Sequence, residues 1–218
     1  TGYDFVSNPE KLAAQRTPGG PAVPFDGDYV DETTFGGLGR DSDPTDPGDW
    51  RGVSPISDSS WHGTKIAGLI AAQADSDGIT GIAPEAKIQP IRALSWRGGL
   101  LSDIAASITW ASGGSVEGAP TNPNPSKVIN MSFAVETTCP VTLQTAIDEA
   151  IERGSVLVAA AGNASDDAAK YAPGNCNGVI TVAATNRDGN RAGYSNYGDT
   201  VDIAAPGGDN SNSIITTA

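Results

Sequence analysis

Residues 155–163 read SVLVAAAGN, with six consecutive apolar residues from Val156 to Ala161. The run is far too short for a membrane span, which takes roughly 20 apolar residues. It also lacks the apolar–polar alternation of a strand with one wet face, so it reads as a strand covered on both faces, the mark of a parallel sheet. Directly before it, TLQTAIDEAIERG (142–154) has the spacing of an amphipathic helix, with Gly154 as its stop. The same alternation recurs along the chain. SKVINMSF, GVITVAAT and VDIAAPG read as strands, and AKIQPIRAL as a short extended run. HGTKIAGLIAAQ places Ile66, Ala67, Leu69 and Ile70 on one helical face. LSDIAASITWASGG has Ser102 as its N-cap and a glycine pair as its stop. Strands alternating with helices imply an α/β fold of βαβ units with right-handed crossovers and a mostly parallel central sheet.

At 218 residues the chain fits one domain, loop-rich over 1–58 and regular from 59 to 218. Both ends are abrupt, so the sheet is expected to be incomplete at each end and the chain a partial domain. The formal net charge of −13 argues against a nucleic-acid or anionic-membrane partner, since both call for clustered Lys and Arg. No apolar run approaches membrane-spanning length, and no signal peptide is seen. Two cysteines, Cys139 and Cys176, are compatible with one disulfide or with two separate thiols.

In parallel sheets, chemistry collects at the carboxyl ends of the strands. Three stretches fall at such places: the turn before His62, NMSF, and AAAGN. His62 is the only histidine in the chain. It opens a helix, a position that favours the neutral, basic imidazole. Gly63 beside it leaves room for a second backbone to approach. Asn163 follows a glycine just past the apolar strand, where its amide could donate to an oxyanion. A histidine capping a loop and an asparagine in a turn would look the same locally.

Taken in order, HGTKIAG, INMSF, AAAGN and SNYG followed by VDIAAPG resemble the conserved blocks of the subtilisin-like serine proteases. GYDFVSNP and GRDSDPTDPGDW resemble the secreted, calcium-binding bacterial members with a long loop ahead of the histidine. The resemblance implies a three-layer sandwich around a mostly parallel sheet, and hydrolysis of peptide bonds through a Ser-His-Asp acyl-enzyme mechanism. It makes His62 the general base and Asn163 the oxyanion donor, a role worth roughly 3 to 4 kcal/mol of barrier in such enzymes. Ser132, Phe133 and Ala134 would pair with an extended protein substrate, as would the strand around Leu94 and Trp96. Ala160, Ala161 and Gly162 would form the opposite wall. Ser195 falls in the structural SNYG segment and not in a nucleophile block.

The family's other two blocks have no counterpart here. No Asp-Ser-Gly or Asp-Thr-Gly precedes His62, and no Gly-Thr-Ser-Met-Ala follows VDIAAPG. The Asp and Ser are therefore expected on remaining segments of the same protease, and the chain alone is expected to be inactive, with those segments or a propeptide as partners. A non-catalytic peptide-binding module is the competing reading. One histidine and two cysteines leave no plausible zinc set. Within the blocks, Lys65 replaces a second histidine, while Ala134 and Val135 stand where glycines let substrate approach, which narrows the primary pocket.

The resemblance further implies secretion, a Cys139–Cys176 disulfide and a calcium ion. Asp41, Asp43, Asp46 and Asp49 lie within nine residues in a loop broken by Pro and Gly, with Asp4 as a further ligand. Asp26, Asp28, Asp31 and Glu32 read as solvated.

Overall fold

The computed structural model describes residues 2–6, 40, 42–44, 58–75, 78–94, 98–209 and 212–217. Asp26, Asp28, Asp31, Glu32, Asp41, Asp46, Asp49 and Trp96 lie outside them. The chain divides into two compact units. One comprises Thr1–Ser107, Ser115–Thr121 and Thr217–Ala218; the other comprises Ile108–Gly114 and Asn122–Thr216.

In the first unit, strands β1 (Tyr3–Asp4) and β2 (Ile91–Arg92) pair in parallel. Tyr3 and Phe5 are wholly buried, with ring centroids 4.7 Å apart, and the Arg40 guanidinium lies 5.5 Å from the Phe5 ring. Helix α1 (His62–Ala71) half-buries Ile66, Ala67, Leu69 and Ile70, the face expected from their spacing. Its free carboxyl-end carbonyls are taken up by the next turn: Ile82, Ala83 and Gly81 donate to the carbonyls of Leu69, Ile70 and Ala72 at 2.7–3.0 Å. Gly68 is buried against the Thr217 side chain, which a Cβ there would strike.

Helix α2 (Leu101–Ala111) begins one residue before the expected Ser102 cap. The Leu100 carbonyl accepts from Asp103 and Ile104 instead, at 3.0 Å each, so Ser102 is an exposed first-turn residue. Asp103 is used for another purpose, accepting Arg40 at 2.6 Å from a nearly inaccessible position.

The second unit holds the sheet. Strands β3 (Val128–Met131), β5 (Val156–Ala160), β7 (Val179–Thr185) and β8 (Ile203–Pro206) stand in the order β3-β5-β7-β8, all parallel. Helix α3 (Val141–Glu152) links β3 to β5 and buries Leu143, Ala146, Ile147 and Ala150. The glycine stop is as expected: Gly154 has φ +87° and donates to the Ile151 carbonyl. The link from β5 to β7 differs from a simple helix. It contains a short 3₁₀ turn (Ala168–Lys170) and β6 (Tyr171–Ala172), which pairs antiparallel with β4 (Val135–Glu136).

The register sorts the sheet's side chains by face. Leu157, Val179, Met131, Ala159, Thr181, Ala161 and Ala183 share one face, and all are buried. Val128, Val156, Ile180 and Ile203 share the other, and are 39–60% exposed. Among the described residues of this unit, Leu157 and Ala159 of β5 are buried, Val158 and Ala160 are half-buried, and Val156 is exposed. The fold class is mixed α/β around a central parallel sheet.

Candidate functional site

His62 is the first residue of α1 and is exposed. The chain enters the helix through Trp61, whose φ of 50° is left-handed, a bend that L-residues seldom adopt. The His62 N–H reaches the Ser60 hydroxyl at 3.4 Å, while its imidazole has no hydrogen bond among the described residues. A Cβ at Gly63 would meet open space, so no second backbone crosses there among the described residues. Leu94, the described member of the expected second pairing strand, is half-buried two residues past β2.

Asn163 follows β5 in the second unit. Ala161 still keeps sheet register through Val182 at 2.9 Å; the chain then turns at Gly162, with φ +109°. Asn163 is exposed and its carboxamide has no hydrogen bond among the described residues. The segment Tyr194–Gly198 lines this loop. Ser165 donates to Tyr194 at 2.9 Å, Tyr197 to Asp166 at 3.0 Å, and Ala168 to Tyr197 at 2.7 Å. Ser195 is buried; its hydroxyl accepts from Ala184 N–H at 2.9 Å and donates to the Asn196 carbonyl at 3.0 Å. A hydroxyl so engaged is a strut between two segments and has no access to a substrate.

The two expected pocket walls leave neighbouring strands. Ser132, Phe133 and Ala134 follow β3, and Ala160, Ala161 and Gly162 close β5, its parallel neighbour. They come together at their tips, where a Cβ on Gly162 would stand 3.5 Å from that of Ala134. The Ser132 hydroxyl accepts from the Asn130 amide at 2.8 Å. Ala161 is buried and faces the core, so its contribution to a wall is limited to backbone.

The Cys139–Cys176 disulfide joins the segments that follow β4 and β6 and spans 37 residues of sequence. Gln144 braces the same place, donating to the Asn177 carbonyl at 3.1 Å and accepting its N–H at 2.9 Å. Asn175 donates to the carbonyls of Thr137 and Ala169. On the outer side, Lys170 and Asp166 pair at 2.8 Å. Their hydrogen bond holds the Asp166 carboxyl below its usual range and raises the Lys170 ammonium above its own. Partial burial raises the Tyr171 phenol.

Of the expected calcium ligands, only Asp4 and Asp43 are described. Asp43 is exposed. Asp4 is 5% exposed, and its two oxygens are engaged within the chain: Oδ2 by Arg92 at 2.7 Å and Oδ1 by the Val6 N–H at 2.7 Å. Among the described residues, no group of three or more His, Cys, Asp and Glu is arranged to hold a metal ion. Sequence reasoning passed over Arg92 and Asn196 altogether; the only local signal for Asn196 was its place inside the SNYG block.

Comparison with known proteins places this geometry in context. A family model described as "Subtilase family" matches residues 38–218. The chain is 45% identical to the "Extracellular protease" of Xanthomonas campestris pv. campestris, over 87% of this chain and 34% of that protein. It is 38% identical to the "Extracellular basic protease" of Dichelobacter nodosus, over 94% of this chain and 32% of that one. Among solved structures, a protease of Pseudoalteromonas arctica superposes with a TM-score of 0.80 at 43% identity, covering all of this chain and 63% of that chain. The chain thus spans about a third of the length of these curated relatives.

Proposed function

This chain belongs to the subtilase family, and on that premise we propose that it is the portion of a secreted serine endopeptidase that supplies the general base and one oxyanion donor. His62 takes the proton from a serine hydroxyl as it attacks the scissile carbonyl, then returns it to the leaving amine. Asn163 donates to the oxygen that becomes negative in the tetrahedral intermediate. The serine, and the aspartate that orients His62, belong to segments outside this sequence. The observation that carries the reading is that His62 and Asn163, in matched blocks, both present exposed polar side chains with no hydrogen bond to a described residue.

An extended protein substrate would pair its backbone with Ser132–Ala134, and the segment of Leu94 and Trp96 is the second candidate for such pairing. Ala134 and Val135 in place of glycines favour small side chains next to the cut. Calcium would be held by Asp41, Asp43, Asp46 and Asp49, stabilising the loop ahead of His62 and taking no part in the chemistry. The names of the two extracellular relatives support secretion of this protein too.

Fluorophosphonate labelling of the full-length protein, followed by intact mass, tests the proposal. The wild type is expected to take up one label on a serine outside residues 1–218. His62→Ala should label negligibly and lose about 10⁶-fold in kcat, the magnitude known for this base in subtilisin itself. An unlabelled wild type without peptidase activity would overturn the proposal and leave a peptide-binding relative.

A further inference from the structure

We infer that Asn196 is a positioning residue for Asn163: it holds the loop on both sides of the oxyanion donor and so sets where that amide points. The inference rests on the reading of Asn163 given above. Asn196 has no exposed surface. Its Nδ2 donates to the Ala161 carbonyl at 2.9 Å. Its Oδ1 accepts from the N–H groups of Ala164 and Asp166, at 2.8 and 3.1 Å. Its own N–H donates to the Gly162 carbonyl at 3.0 Å. Residues 161, 162, 164 and 166 are therefore all tied to one side chain and its backbone, and Asn163 is the residue between them whose side chain stays exposed.

The chemistry explains why this position holds an asparagine. The loop offers one carbonyl and two N–H groups to a single point, and a carboxamide can meet them with one of its N–H donors and the two lone pairs of its oxygen. Aspartate has the same shape but would set a carboxylate against the Ala161 carbonyl. Gly162 is matched to the same arrangement, since a Cβ on it would strike the Asn196 Nδ2. Asn196 is itself steadied from behind, where its carbonyl accepts the Ser195 hydroxyl at 3.0 Å. An oxyanion donor stabilises the transition state most when it is held in place before the charge develops. A small misplacement can remove much of the effect.

The test uses the full-length protein and a chromogenic peptide amide, with kcat, KM and thermal midpoint measured for Asn196→Asp, Asn163→Ala and the double variant. Asn196→Asp should lower kcat roughly 10- to 100-fold with little change in KM. Asn163→Ala should lower kcat about 10²- to 10³-fold, the range established for this donor in subtilisin. The double variant should be no worse than Asn163→Ala. If the two losses multiply, Asn196 acts only as scaffold and the inference is overturned while the oxyanion reading stands. If Asn163→Ala leaves kcat of an active enzyme unchanged, the oxyanion reading fails and the inference falls with it. Should the buried carboxylate prevent folding, Asn196→Ser keeps a hydroxyl acceptor and is put through the same cycle, with the same outcomes deciding.

Discussion

In the unit that carries His62, the buried anchors include charged pairs; in the unit that carries Asn163, they are aliphatic side chains, amides and a disulfide. The first relies on Asp4 with Arg92 and on Asp103 with Arg40, beside the small Tyr3–Phe5 cluster. Its strands among the described residues are two residues long. The second sets Leu157, Met131 and Ile147 beneath a four-stranded ladder and crosslinks the segments that follow β4 and β6. The difference bears on function. An oxyanion donor has to be placed before the reaction, so it belongs on a loop tied to a rigid sheet. In the proposed mechanism the general base moves a proton between two partners, and its orientation would come from an aspartate on another segment. Two-residue strands and a helix end are support enough for presenting it.

The sharpest way to break this contrast is to remove one partner of a buried pair. Arg92→Met should lower the unfolding free energy by about 3–5 kcal/mol, because the buried Asp4 loses the Arg92 guanidinium. Denaturant titration with calcium and again with EDTA checks this. The loss should be equal in both. A loss confined to the calcium sample would instead assign Asp4 to the metal loop, where its sequence context pointed.

In the other unit, replacing both Cys139 and Cys176 by Ser should cost about 3–4 kcal/mol by the loop-entropy estimate for a span of this length. The four-stranded ladder should survive. Native-state hydrogen exchange should keep β5 and β7 amides among the slowest, with the new exposure confined to the 137–139 and 173–177 segments. Uniform loss of protection in β5 would mean that the crosslink, and not the apolar face, supports the sheet.

The smallest effect concerns Lys170 and Asp166. The Asp166 pKa is lowered, so its contribution is present above the ordinary carboxylate value of 3.8 and fades as pH falls through the folded value. The Lys170 pKa is raised, so its contribution is complete below 10.5 and fades as pH rises through the folded value. Both windows leave neutral pH flat. Lys170→Ala should therefore shift the melting temperature slightly at pH 7, and the shift should vanish in high salt, because the pair is exposed. A shift that persists in high salt would mark the pair as part of the wall's architecture.

Local features were legible before any coordinates. The stop at Gly154, the helix beginning at His62 and the strands β3, β5, β7 and β8 follow from periodicity and from the conformational freedom of glycine, which act over a few residues. The order of the HGT, AAAGN and SNYG blocks also gave the family. Other features belong to tertiary structure alone. Nothing near Asp4 announces its ion pair, because the partner, Arg92, lies 88 positions away. Ser102 looked like a cap because its type suits one, but the chain set the Leu100 carbonyl there first. Six apolar residues in β5 cannot report which face is covered, since that depends on what packs on the sheet. Asn196 carries no local signal beyond its place in the SNYG block; its role emerges only when the fold brings Ala161, Ala164 and Asp166 within 3.1 Å of its amide. Backbone preferences are set by neighbours in sequence, whereas a buried polar group takes whichever partner the fold delivers, and no local pattern encodes that partner's address.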